Sequence, residues 1–343
     1  MRARLTVVAA FVAGLIACGG DSNLGPSGTP TVNGLTLTGP TQVAPGETAR
    51  FTATARYTDG STKDVTAGTT WSAFPAGVLR LTSPGVFDVV AAGETRVQGS
   101  YQRLFSQAQP LLVVPAGTFK LFGVVSDASG VVEGVVVEAR SGGGSKTVTT
   151  ARDGKYAFYG VAGAVELLAS ARGYDPVDVT FTVGAHTTRN VSLTTTATPL
   201  NLAGTWTLSL SAASPCSDSW PEAIRHREEP TQITQSGTRL TFRFNTPTIQ
   251  QSFVGSFGRI AGTEFSLTID FDDYYLDYGL LERPTPTDWV GVYGTAEATG
   301  NESVISGSFT GRFDYYITAA SVRFVQGVPF HCAANPDFTL RRQ

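Results

Sequence analysis

The sequence predicts an all-β chain built of several modules, and three observations carry that expectation. Apolar residues recur at period two, as in Phe51, Ala53, Ala55 and Tyr57, which is the alternation of a half-buried strand. β-Branched Thr and Val recur throughout, and 38 glycines supply tight turns between them. After the N-terminal apolar run, no long stretch sets apolar residues at i, i+3, i+4 and i+7. A length of 343 residues suits two or three domains.

The first element is a leader. Arg2 and Arg4 precede Leu5 to Ala17, an apolar run whose only polar residue is Thr6. A basic start, an apolar stretch and small residues before a cleavage point describe a secretory signal. The run falls short of the roughly 20 apolar residues that a spanning helix needs. Its end, Leu15-Ile16-Ala17-Cys18, resembles the lipobox of bacterial lipoproteins. The resemblance implies a signal peptide over 1–17, diacylglyceryl transfer to the Cys18 sulfur and acylation of the new amine. Each buried lipid methylene contributes ~0.8 kcal/mol, so two or more chains hold a protein stably at a membrane. Gly19 stands where an aspartate would favour the inner membrane, so the resemblance points to a lipid anchor in the outer membrane. Whether the body faces the periplasm or the outside stays open.

Without Arg2 and Arg4, 23 basic residues face 28 acidic ones, against a net charge of -3 for the full chain. No basic block exists, which argues against nucleic acid as a partner. Residues 18–30 are rich in Gly, Ser and Pro and read as a flexible tether.

Residues 31–115 alternate as strands. Asp59-Gly60 is a hairpin turn, with Asp and Gly tolerating positive φ. The stretch from Tyr57 to Thr66, followed by Thr70-Trp71-Ser72, resembles bacterial immunoglobulin-like domains of group 2. So does Ala92-Gly93-Glu94-Thr95-Arg96-Val97 with Ser100-Tyr101. The resemblance implies an Ig-like sandwich with Trp71 in its core.

Residues 117–193 form a second unit. Its order runs from Gly123-Val124-Val125 and the turn Asp127-Ala128-Ser129-Gly130 to Asp153-Gly154-Lys155-Tyr156-Ala157-Phe158 and Ala171-Arg172-Gly173-Tyr174. This resembles the carboxypeptidase regulatory-like domain, a small transthyretin-like sandwich without a peptidase zinc site. Ala151-Arg152 departs from the family, which usually carries an additional acidic residue there. Thr194 to Leu200 reads as a short linker.

Residues 198–343 predict about eight antiparallel strands joined by hairpins. The candidates are 204–210, 230–236, 239–244, 252–260, 264–270, 289–299, 303–316 and 338–342, with turns at Ser236-Gly237, Ala261-Gly262 and Gly300-Asn301. A closed up-and-down barrel removes exposed strand edges. Gly204-Thr205-Trp206 resembles the opening of lipocalin-like barrels, which implies that Arg341 or Arg342 packs near Trp206. Once Cys18 is lipidated, Cys216 and Cys332 remain, and in an exported protein they are expected to form a disulfide. Cys216 lies ten positions after Trp206 and Cys332 ten before Arg342, so one antiparallel register accommodates both pairs. A crosslink closing a loop on the order of 100 residues contributes up to ~4.7 kcal/mol.

Candidate chemistry is sparse. His226 sits in the run Arg225-His226-Arg227-Glu228-Glu229, read as a solvated loop whose arginines oppose a metal cation. His331-Cys332 lacks metal-ligand spacing. Asp272, Asp273, Tyr274, Tyr275 and Tyr278, with Trp289 on the next strand, form a candidate binding surface for sugar or protein. An acidic hairpin with inward aromatics and a calcium site are the other readings. No nucleophile triad, phosphate loop or zinc-protease helix is legible, so neither a metal, a cofactor nor enzyme activity is expected. The expectation is a non-enzymatic envelope lipoprotein that displays a binding barrel for glycan or protein adhesion. The alternatives are a carrier of a small lipophilic ligand and a purely structural protein.

Overall fold

A computed structural model describes residues 29–212, 220–244, 249–251, 256–269, 280–317, 330–331 and 337–343. Strand makes up 65% of the described residues and helix 2%, so the all-β expectation holds. None of the helices among the described residues is long and apolar enough to cross a membrane. The chain divides into two compact units, one up to Val113 and one from Val114 onward.

In the first unit three short sheets enclose one core. Phe51, Trp71 and Phe87 meet at centroid separations of 5.8 to 6.4 Å, with Phe87 edge-on to both partners. Trp71 is 6% exposed, and its indole N–H donates to the Thr66 carbonyl at 3.2 Å. Strands Thr52–Tyr57 and Thr62–Asp64 pair across the Asp59-Gly60 turn, where Gly60 adopts φ +84°. The Asp59 carboxylate accepts the Ser61 N–H and closes that turn.

The second unit begins with a two-sheet sandwich. Phe119–Asp127 is central to one sheet, and Val136–Ser141 with Gly163–Ser170 are central to the other. Alternate residues such as Leu121, Val125, Val137, Phe158 and Leu167 fill the space between. Each such side chain contributes about 1.5–3 kcal/mol by leaving water.

The barrel follows. Among the described residues, eight strands form its closed ring: Gly204–Ser211, His226–Ser236, Arg239–Phe244, Ser256–Ala261, Glu264–Ile269, Asp288–Gly300, Val304–Ile317 and Asp337–Arg342. Each pairs antiparallel with the next, and the eighth pairs with the first. Short strands Ile249–Gln251, Leu280–Glu282 and Phe330–His331 extend the sheet. At the seam between first and last strands Trp206 stands opposite Arg342 and Ser211 opposite Asp337, in one unbroken register.

Along the first strand Trp206, Leu208 and Leu210 point inward, while Thr205, Thr207 and Ser209 point outward. Apolar-in and polar-out is the reverse of a barrel that faces lipid. The inward residues merge with Leu240, Phe265, Leu267, Phe309, Phe338 and Leu340 into one packed cluster. Stacked and edge-on rings at 6.1–6.2 Å join Phe265 to Phe338 and Phe242. The described lumen is a core, filled by its own side chains.

Candidate functional site

The two ends of the barrel differ chemically. At one end the tight turns after the second, fourth and sixth strands gather with the start of the first and the end of the last. Trp206 donates its indole N–H to the Leu202 carbonyl at 2.8 Å, and the Arg342 guanidinium lies 4.7 Å from its ring centroid. Arg342 also donates to the carbonyls of Glu302, Ala203 and Asn201. Between the two arginines offered by the sequence, Arg342 is the one that caps Trp206, and Arg341 stands exposed opposite Thr207. Gly204 lies beside the Arg342 guanidinium.

This capped end is also the docked end. Asp127, the last residue of its sandwich strand, accepts hydrogen bonds from barrel Thr238 (2.5 Å), barrel Arg259 (2.6 Å) and sandwich Tyr174 (2.8 Å). Burial pushes the Asp127 carboxyl upward, but the bonds from Thr238 and Tyr174 and the Arg259 charge outweigh it and hold it below its ordinary value. Arg259 reaches on to the Val131 carbonyl, and Ser129 accepts the Thr238 N–H at 2.9 Å. Ala261 of the barrel joins the sandwich core. Arg172 bridges to Glu264 at 2.5 Å and to Glu297 at 3.3 Å. The stretch read as a linker is fastened to both sides: Thr196 N–H donates to Gly173, and Leu200 N–H donates to Gly262.

Gly173 makes this contact close. It adopts φ +78°, and a Cβ there would run into the Ala261 carbonyl. Gly173→Ala therefore combines backbone strain with a clash at the seam, and is expected to cost about 1–3 kcal/mol. A thermal melt of the full chain checks it; an unchanged melting temperature would mean that the seam gives way without cost.

Toward the opposite end the lumen holds charge. The run from Arg225 to Glu229 is not a loop: a helical turn Glu222–Arg225 leads straight into the second barrel strand. Period two then turns Arg227 and Glu229 inward, while His226 and Glu228 stay exposed. His226 faces the Ser211 hydroxyl at 2.8 Å. Arg227 Nε donates to Glu282 at 2.8 Å, its second nitrogen completes the fork, and Glu229 lies 3.8 Å away. Glu229 and Glu282 are 1% and 2% exposed. Burial lowers the Arg227 guanidinium from its ordinary value, with Glu229 opposing that effect.

The seam also opens into a cleft of about 910 Å³, walled by the sandwich on one side and the outer face of the barrel on the other. Arg152 and Glu133 come from the sandwich, and Arg239, Arg243 and Arg259 come from the barrel. Burial pushes the Glu133 carboxyl above its ordinary value, against the pull of Arg152 and Arg259.

Most predicted site residues fall elsewhere. Cys18, Cys216, Cys332, Asp272, Asp273, Tyr274, Tyr275 and Tyr278 lie outside the described residues. Trp289 corrects its expectation as an open stacking surface: it is 1% exposed, with the Arg283 guanidinium 5.0 Å from its ring centroid. It stands opposite Tyr316, itself buried, so its ring faces protein. Sequence reasoning missed the cleft, whose residues come from strands far apart in the chain. The one local signal was Arg239-x-Thr241-x-Arg243, two arginines on the polar side of a strand.

Residues 120–196 match the carboxypeptidase regulatory-like domain. That domain is the sandwich, and its Asp127 and Tyr174 are the residues that grip the barrel. No curated protein matches the chain. Among solved structures, a DUF3823 family protein from Bacteroides ovatus is 13% identical, with a TM-score of 0.25, over 58% of this chain and 90% of that one. The Yersinia pseudotuberculosis adhesin InvE is 11% identical with a TM-score of 0.19, over 43% and 57% of the two chains. The major pilin subunit BcpA of Bacillus cereus is 10% identical with a TM-score of 0.19, over 48% and 69%.

Proposed function

We propose that this chain is a non-enzymatic lipoprotein of the outer membrane, anchored through Cys18, that displays a β-barrel on β-sandwich modules to bind glycan or protein. The observation that carries the reading is the fastening of the regulatory-like domain to a barrel whose described lumen is already filled. A carrier needs an interior that accepts cargo, and Trp206, Leu267, Phe309 and Phe338 occupy that interior. A rigid docked barrel instead offers its outer face and its far end to a partner. The leader and Cys18 supply the address.

Two measurements test it. Fractionation of cells is expected to place the chain with the outer membrane, and Cys18→Ala to release it. A glycan array and fatty-acid titrations with the full chain are expected to give saturable glycan binding and no fatty-acid uptake. Saturable fatty-acid binding would favour the carrier instead.

A further inference from the structure

The cleft beside the seam is electrostatically unlike the chain that builds it. Its lining holds four arginines and two glutamates, in a protein whose net charge is -3. Two of those arginines are committed or partnered: Arg259 holds Asp127, and Arg152 lies within the charge field of Glu133. Arg239 and Arg243 differ. Both are exposed on the third barrel strand, and no ion pair among the described residues engages either one. Of the glutamates, Glu297 is bridged by Arg172, and Glu133 lies within the field of Arg152 and Arg259. The surplus is therefore positive and lies at the barrel wall.

Between these charges the wall is hydroxylated. Register sets Arg239 beside Arg259, Arg259 beside Ser266 and Ser266 beside Glu297, a row across four strands. The neighbouring row brings Thr268 opposite Thr295, with Thr241 on the same side as Arg239. Three strand spacings make such a row roughly 14 Å long, which suits an oligomer better than a single small anion. Guanidinium groups pair with carboxylates through two parallel hydrogen bonds, and serine and threonine exchange hydrogen bonds with sugar hydroxyls. The aromatic residues of the lining, Phe242 and Phe244, belong to the barrel core.

We propose that this cleft binds an acidic polysaccharide, its carboxylates paired with Arg239 and Arg243 and its hydroxyls met by Thr241, Ser266, Thr268 and Thr295. This deepens the display reading by naming a ligand class and a place for it, and it rests on the barrel being the binding element.

The test is isothermal titration of the purified full chain with polygalacturonate oligomers, with neutral maltohexaose and inorganic phosphate as separate arms. Polygalacturonate is expected to bind with an affinity that falls as salt rises, and maltohexaose and phosphate to bind far more weakly. The double variant Arg239→Gln/Arg243→Gln is expected to weaken polygalacturonate binding by about ten- to a hundredfold, from the loss of two charge-assisted contacts. Both side chains are exposed, so the melting temperature should be unchanged, which separates lost binding from lost folding. Arg341→Gln, on the far side of the capped end, is expected to bind as the parent does. Equal binding by parent and double variant, equal binding of the neutral oligomer, or no binding of polygalacturonate would each overturn the cleft proposal. The display reading stands or falls separately, on the fractionation and glycan-array results.

Discussion

Replacing Arg227 with leucine is expected to lower the unfolding free energy of the barrel by about 3–5 kcal/mol, the range for breaking a buried pair from one side. The substitution leaves Glu229 and Glu282 buried without the guanidinium between them. Two like charges out of water push their carboxyl pKa values upward. A raised folded-state value contributes stability below the unfolded value of about 4.3, and that contribution is lost as pH rises through the raised value. The deficit of the variant should therefore shrink on going from pH 8 to pH 5. Urea unfolding followed by tryptophan fluorescence measures it, since Trp206, Trp220 and Trp289 all belong to the barrel region. A loss under about 1 kcal/mol, as for a surface pair, would show that water reaches the cluster. Replacing Arg227, Glu229 and Glu282 together with leucine should recover most of the loss, because the three charges are removed together rather than one being taken from the others.

The second large effect concerns Asp127. Asp127→Ala removes the acceptor shared by Thr238, Tyr174 and Arg259, and is expected to cost about 3 kcal/mol. The sharper sign is cooperativity: the sandwich and barrel should unfold together in the parent and in two steps in the variant. Residues 194–203 should also become open to proteolysis. Asp127 is held below its ordinary value, so its contribution is present above the unfolded value of about 3.9 and fades as pH falls through the folded value. The parent seam should accordingly hold at pH 5 and weaken below about pH 4, while the variant lacks that acid step. A single transition in Asp127→Ala at neutral pH would assign the coupling to Ala261 and the apolar contacts instead.

Much of the fold was legible because the barrel obeys local rules. Period-two alternation and Gly-containing turns located all eight barrel strands, and the spacing that set Trp206 against Arg342 is the register of the closing seam. What escaped shares one physical cause. Asp127 looked like a turn residue because its partners, Thr238 and Arg259, are more than a hundred positions away. The Arg225 to Glu229 run looked solvated because charge dominates a local reading. Only the strand phase set by Thr231 and Ile233 turns Arg227 and Glu229 inward. Trp289, beside an acidic, aromatic stretch, reads locally as either a surface ring or an inward one, and its burial beneath Arg283 decides for the inward one. Alternation tells which residues share a face; whether that face meets solvent depends on what packs over it.

Docking at the capped end also sets how the molecule carries load. The chain enters the barrel at Leu202, beside the seam, and the first strand runs from there toward the far end. A tug at the far end, resisted at the seam, acts along that strand and across its hydrogen bonds. Eight register pairs to the second strand and six to the eighth would have to slide at once. Sheared ladders share force among all their bonds, whereas peeled ones yield one bond at a time. Held this way, the barrel resists a sustained pull in the direction its attachment imposes.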